Sequence, residues 1–302
     1  MTSLDRSSRP VYEYGQVKLY QADCLEWMAG QAKNSFHACV TDPPYGLVEY
    51  TEAQQVKLRR GKGGVWRIPP SYDGHTRSPL PRFTTLTEAD LKQLQKFFQE
   101  WGEGLQRILV PGAHVVVAAN PLVSHLVSTS LAKAGLQRRG EIARLVQTMR
   151  GGDRPKNAHK EFPDVSVMPR SQWEPWVLFR KLPEGAIADN LRKWKTGGLR
   201  RIGDELPFGD VIRSAPTGRK EREIAGHPSL KPQDFLRRLV RAMLPMGEGV
   251  ILDPFAGSGS TLAAAEALGY DSVGVELDPA YIEIARTAIS ELSRLKVGGG
   301  TT

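Results

Sequence analysis

Two stretches of this chain carry residues whose types and spacing could do chemistry. The first is Asp42-Pro43-Pro44-Tyr45. Successive prolines fix φ and keep the residues before them extended, so the Asp42 carboxylate and the nearby carbonyls are aimed rigidly. Such an acceptor pair suits a planar amine, and Tyr45 adds a flat face on which a ring can stack. The exocyclic amine of adenine or cytosine is a poor nucleophile, because its lone pair is delocalised into the ring. Accepting both of its hydrogens, at Asp42 and at the Pro43 carbonyl, favours a pyramidal nitrogen that can attack. Catalysis of that kind is mainly positioning and polarisation. In duplex DNA the base must first be turned out of the stack.

The second stretch is Asp253-Pro254-Phe255-Ala256-Gly257-Ser258-Gly259-Ser260-Thr261, following the apolar run Val250 to Leu252. Gly257 and Gly259 permit positive φ and a close backbone approach to a ligand. Ser260 or Thr261 is expected to cap the alanine-rich helix that follows, whose N-terminus offers free N–H groups. A second strand, 272–275, ends in Glu276, about the spacing at which an acidic side chain meets a ribose. The absence of a lysine after Gly259 rules out a P-loop, and Leu262 replaces the third glycine of a dinucleotide loop. Asp253 would repel a pyrophosphate but suits a cation. S-adenosylmethionine (AdoMet), with its sulfonium, amine and ribose diol, fits that description.

The elements that must position these motifs alternate between strands and helices. Residues 17–20 and 36–40 read as strands, 25–28 as a short helix, and 87–109 as a helix opened by a Thr87 cap. Leu91, Leu94, Phe97, Phe98 and Trp101 recur on that helix at core spacing. Residues 114–119 form a continuous apolar run suited to a strand covered on both faces. A helix over 123–134, a strand over 176–179 and a helix over 233–243 follow. The implied fold is an α/β, doubly wound, mostly parallel sheet. The glycine loop ordinarily follows the first strand of such a fold. Here it comes late, with too little chain after Glu276 to complete a sheet, so the topology is circularly permuted.

The formal net charge is +8 over 302 residues, with a pI near 9.5. Residues 57–82 contribute a net of +6 and residues 180–222 a net of +5, leaving the remainder slightly acidic. With Trp66, Tyr72 and Trp194 interleaved, these irregular segments suit a phosphate-tracking surface. Two cysteines without metal-like spacing suggest a reducing compartment. The histidines show no metal spacing, the polar N-terminus is no signal peptide, and nothing approaches a membrane span. A cytoplasmic protein is expected.

On Asp42 to Tyr45 together with Asp253 to Gly259, the chain resembles the N4/N6 amino-methyltransferases of DNA in the permuted β arrangement. The resemblance covers roughly residues 15–48 and 110–290. It implies a catalytic motif at Asp42, Pro43, Pro44 and Tyr45. Cofactor contacts are implied at Asp23, Lys231, Asp253, Phe255, Gly257, Gly259, Thr261 and Glu276, with no metal. It also implies one catalytic domain from 1–180 and 227–295, a target recognition segment at 181–226, and a disordered tail at 296–302. The insertion 50–85 matches no family motif. DNA contacts are expected there at Arg59, Arg60 and Lys62, and in the recognition segment at Arg192, Lys193, Lys195, Arg200 and Arg201.

The expected partner is double-stranded DNA at a short specific site, alongside a possible cognate restriction endonuclease, the protein acting as monomer or homodimer. Asp at the first motif position is commoner among adenine-N6 enzymes, which makes adenine the expected base. Cytosine N4, and amine methylation of RNA or protein, stay open, as does a non-catalytic DNA-binding module. Methylation at cytosine C5 is disfavoured, since it needs a cysteine nucleophile, usually presented after proline. Here Cys24 follows Asp23 and Cys39 follows Ala38.

Overall fold

The computed structural model describes residues 9–44, 88–146, 152, 154–155, 157–226 and 230–297. Tyr45, Thr87, His227, the insertion 50–85 with Arg59, Arg60 and Lys62, and residues 298–302 lie outside the described residues.

The chain runs β1 (Tyr12–Tyr14), β2 (Val17–Gln21), α1 (Cys24–Ala29), β3 (Phe36–Thr41), α2 (Glu88–Ile108), β4 (Leu109–Ala118), α3 (Ser124–Lys133), β5 (Gln137–Leu145) and β6 (Trp173–Arg180). It continues with α4 (Ile187–Trp194), β7 (Val211–Arg213), α5 (Arg219–Ile224), α6 (Gln233–Met243), β8 (Val250–Asp253), α7 (Ser260–Ala267), β9 (Asp271–Glu276) and α8 (Pro279–Arg294). One sheet orders them β1-β2-β9-β8-β3-β4-β6-β5-β7. Strands β2, β9, β8, β3 and β4 are parallel, β6 is antiparallel to both of its neighbours, and β1 turns back along β2. The late strand β8 sits between the early strand β3 and β9, which is the expected circular permutation.

Burial explains why the central strands form where they do. Ala38 to Val40 of β3 and Val115 to Ala118 of β4 are wholly buried, because helices cover both sheet faces. On one face α1, α2 and α3 pack through Trp27, Phe98, Trp101, Leu105 and Leu131. On the other, α6 and α7 pack through Phe235, Leu239, Met243 and Ala264, and α8 continues the layer over β2. The aromatics of α2 are core, as their spacing predicts. Asp278 caps α8 by accepting from the Ala280 N–H at 2.8 Å, with Pro279 opening the helix.

Several expected boundaries move. β4 starts at Leu109 and takes in Pro111-Gly112, with Gly112 at φ 80°. Its pairing with β3 shifts register between Phe36 and Ala38 to absorb the extra residues. β6 begins at Trp173 instead of 176. β5 has no counterpart in the sequence-based expectation.

The segment 181–226, expected as a target recognition segment, is divided between two edges of the sheet. Its first half carries α4 beneath the start of β4, where the Asn190 amide donates to the Pro111 carbonyl at 3.0 Å. Its second half adds β7 to β5 in parallel and ends near α6, where Glu221 accepts from the Gln233 N–H. Among the described residues no helix is long and apolar enough to cross a membrane.

Candidate active site

Parallel strands bring their C-terminal ends to one edge, and an open α/β sheet binds ligands there. Thr41 of β3 pairs with Val117 of β4, Asp253 of β8 with Gly274 of β9, and Glu276 with Gln21 of β2. Asp42, Asp253, Glu276 and Asp23 therefore share that edge, although they come from distant parts of the chain. A cleft between them is lined by Asp42, Lys231, Asp253, Phe255, Gly257 and Thr261, with Trp176, Leu236 and Ser258 behind.

The glycine loop has the shape its composition predicts. Gly257 lies at φ 51° and Gly259 at φ 81°. Their roles differ. The Gly257 N–H donates at 2.8 Å to Glu276, whose other oxygen accepts from the Asp278 N–H. Gly259 faces α8 instead, and a Cβ there would clash with the Ile289 side chain. Neither Ser260 nor Thr261 caps α7: Gly259 occupies the cap position and no side chain bonds the cap. Thr261 is turned to Asp253.

Asp253 is buried, which raises its carboxyl to about 6. Hydrogen bonds from Thr41, Thr261 and the Phe255 N–H oppose that rise without cancelling it, and the neighbouring Asp42 adds to it. The Thr41 hydroxyl donates to Asp253 at 2.7 Å and the Phe255 N–H at 3.2 Å. The Phe255 ring leans on Trp101 and Phe97 at centroid distances of 5.6 and 6.1 Å. Asp23 caps α1, accepting from the N–H groups of Leu25 and Glu26. The N–H of Ala22 beside it donates to the Glu276 carbonyl at 3.1 Å.

Pro43 is buried and Pro44 exposed, so the Asp42–Pro43 unit is held firmly at the end of β3. Lys231 is ion-paired to Asp42 and lies 3.3 Å from Glu174. Glu174 in turn accepts from Arg144 at 2.8 Å. Burial would raise the Glu174 carboxyl, but Lys231 and Arg144 outweigh it and hold it low. Burial likewise works against charge on Lys231, and here Asp42 and Glu174 prevail and raise its ammonium. In the sequence Glu174 falls just ahead of the strand expected from Trp176, and neither Thr41 nor Arg144 stands out. All three act through long-range contacts that no local spacing reveals.

The basic residues expected on the DNA surface lie elsewhere. Lys195 is 3.9 Å from Glu248, just before β8 begins. Arg200 donates to the Tyr270 hydroxyl at 2.6 Å, just before β9 begins. The Arg201 carbonyl accepts from Arg241 at 2.7 Å, near the end of α6. Arg192 and Lys193 project from α4, paired with Asp189 and Glu184. These five residues belong to the N-terminal edge of the sheet, a full strand length from Asp42. The cause is α4, which docks beneath the start of β4. Described basic residues at the Asp42 edge include Arg154, Lys160 and Arg170 in the β5–β6 connection, and Arg213, Arg219, Lys220 and Arg222 on and around α5.

Both cysteines are free and buried. Burial, then the Asp23 charge, lifts the Cys24 thiol to about 12, and burial lifts Cys39 well above its ordinary value. Neither is a nucleophile, in keeping with the argument against C5 chemistry. Among the described residues, no group of three His, Cys, Asp or Glu could hold a metal ion.

The cleft fits a cationic adenosine ligand by its own chemistry. It combines a backbone cradle at Gly257 with a buried acid at Asp253. A permuted, doubly wound sheet with that cradle beside an amine-acceptor motif defines an AdoMet-dependent methyltransferase. The chain belongs to the N6/N4 DNA methylase family, which it matches over residues 36–287. It is 34% identical over 283 residues to the type II methyltransferase M2.DpnII of Streptococcus pneumoniae, spanning 92% of this chain and 91% of that one. The fold is shared with a cytosine-N4-specific PvuII DNA methyltransferase (TM-score 0.58, 14% identity, 94% of each chain). It is also shared with TTHA0409, a DNA modification methylase from Thermus thermophilus complexed with S-adenosyl-L-methionine (TM-score 0.54, 20% identity, 91% of this chain and 95% of that one).

Proposed function

We propose that this DNA methyltransferase methylates the N6 amine of an adenine turned out of a short, specific duplex site. The observation that carries the reading is the Asp42–Pro43 acceptor pair at the end of β3, on the same edge and cleft as the β8 glycine loop. The Asp42 carboxylate accepts one amine hydrogen and the Pro43 carbonyl the other, so the nitrogen lone pair is directed at the cofactor side of the cleft. AdoMet supplies an electrophilic methyl on its sulfonium. Asp253 answers the ligand's positive charge, and Glu276, fixed by the Gly257 N–H, is set to accept from ribose hydroxyls. The methyl would leave sulfur as it bonds to nitrogen, leaving a neutral thioether, and the nitrogen's surplus proton would pass along its hydrogen bond to the Asp42 carboxylate and from there to solvent; Asp42 forms no covalent bond. Tyr45, next in the motif, is assigned the face on which the extruded ring stacks.

The DNA surface is assigned to the catalytic edge, with Arg154, Lys160, Arg170, Arg213, Arg219 and Arg222 among its described cations. Arg192, Lys193, Lys195, Arg200 and Arg201 lie on the far edge and are assigned no contact with DNA. A role beside a cognate endonuclease is supported by the type II designation of M2.DpnII, which is that protein's own. Modification-sensitive sequencing of DNA from a host expressing this chain tests the reading. N6-methyladenine at one short motif is expected. N4-methylcytosine at such a motif would move the target to the other amine, and unmodified DNA would overturn the reading.

A further inference from the structure

The motif-level resemblance assigns Lys231 to the cofactor, yet its contacts point elsewhere. Its ammonium is ion-paired to Asp42 and lies 3.3 Å from Glu174, with all three side chains largely shielded from solvent. An ammonium has three N–H donors and no acceptor. Two of the three are directed at protein carboxylates.

The chain of contacts extends further. The other Glu174 oxygen accepts from Arg144 at 2.8 Å. Arg144, which is buried, also donates to the Ser214 hydroxyl and the Ala215 carbonyl, and lies 5.0 Å over the Phe235 ring. The backbone around Lys231 is pinned as well. The Leu230 carbonyl accepts from the Thr217 hydroxyl at 2.5 Å, and Pro232 precedes the first turn of α6. Two cations and two carboxylates thus alternate in one row, Arg144–Glu174–Lys231–Asp42, and their charges balance.

We propose that Lys231 is a positioning residue for Asp42: it holds the carboxylate in one rotamer, and Glu174 and Arg144 hold Lys231. Without that cation, two carboxylates would face each other across a shielded space. One of them would turn away. An Asp42 carboxylate turned from its place would no longer accept from the substrate amine. A buried ion pair loses its value when one partner is removed, so the row acts as a unit.

The inference rests on the amine-methylation reading above. Its test uses full-length protein, amplified DNA free of methylation, and tritiated AdoMet. Turnover is read as kcat, and AdoMet affinity by calorimetry without DNA. Lys231→Met is expected to lower kcat about 100-fold, the scale of a misplaced catalytic group, with AdoMet affinity unchanged. Lys231→Arg, which keeps the charge, is expected to restore part of that loss. Glu174→Gln leaves the lysine in place but frees it on one side, and should lower kcat by roughly tenfold at unchanged AdoMet affinity. If Lys231→Met does not fold, the Arg and Gln variants carry the test. A fall in AdoMet affinity parallel to kcat would make Lys231 a cofactor ligand and overturn the proposal, as would unchanged turnover. Absence of methyl transfer by the unaltered protein would instead overturn the reading of the site, and this inference with it.

Discussion

The two edges of the sheet handle charge in opposite ways. Where β3, β8 and β9 end, charged groups are shielded and tied to residues far off in the chain: Asp42 to Lys231, Glu174 to Arg144, Asp253 to Thr41. Where the same strands begin, Arg192 and Lys193 are exposed and paired with near neighbours, Asp189 and Glu184. Exposed pairs of that kind contribute about 0–1 kcal/mol and are easily exchanged. The deeply buried polar group there, Asn190, is saturated: its amide reaches Pro111 and Thr196, and its oxygen accepts from the Glu184 N–H. The basic residues of 192–201 mark the second edge. The proposed chemistry is assigned to the first, where burying charge costs most.

That contrast can be broken by mutation. Asp42→Ala should reduce methyl transfer by at least about 1,000-fold, the scale on which aligned polar groups act, while AdoMet still binds. Retained turnover in a tritium-transfer assay would remove the catalytic edge from the chemistry. Gly257→Val forces a branched side chain to φ 51°, and strain of about 1–3 kcal/mol should cost roughly 10- to 100-fold in AdoMet affinity. Unchanged affinity by calorimetry would dismiss the loop.

Charge neutralisation then compares the edges directly. Replacing Arg213, Arg219 and Arg222 by alanine should flatten the slope of log DNA affinity against log salt by about 2.7, at roughly 0.9 per phosphate contact. Replacing Arg192, Lys193 and Lys195 should leave it unchanged, and the reverse outcome would return the DNA to the far edge. Asn190→Ala should lower unfolding stability by about 1–3 kcal/mol in a denaturant titration, yet leave kcat per folded molecule intact.

The smallest effect is one of pH. Asp253, raised to about 6, is charged above that pH and neutral below it. A cationic ligand favours the charged form, so AdoMet affinity should fall as pH drops through 6, by at most roughly tenfold per unit. The unliganded fold responds with the opposite sign. A raised carboxyl binds its proton more tightly folded than unfolded, so this group's contribution to stability declines as pH rises from the ordinary carboxylate range to 6. Calorimetry at pH 5 and pH 7 separates the two.

Much of this was legible in the residues. Asp42 at the end of an apolar strand and the glycine pair after another are local patterns, and the lateness of the second is enough to imply the permutation. What stayed hidden depends on distant partners. β5 escapes periodicity because Arg144 occupies a core-facing position that an apolar residue would normally fill, made tolerable by Glu174 and Ser214. Helices α4 and α5 have no side-chain N-cap bond, from Ala186 and Gly218, so nothing in 181–226 announces them. Thr41 lies 212 residues from the carboxylate it serves.

The late position of β8 bears also on how the chain is made. Residues emerge from a ribosome in order and earlier parts tend to fold first. Here β3 and β4 are synthesised long before β8, which closes the open side of β3, and β2 waits for β9. Until the last quarter of the chain appears, the inner sides of β2 and β3 are unpaired strand edges, open to pairing with other chains. Two contacts of the site also form only then: the ion pair of Asp42 with Lys231, and the hydrogen bond of Thr41 to Asp253. A chain stopped short of residue 250 lacks β8 and β9, the strands that join β2 to β3.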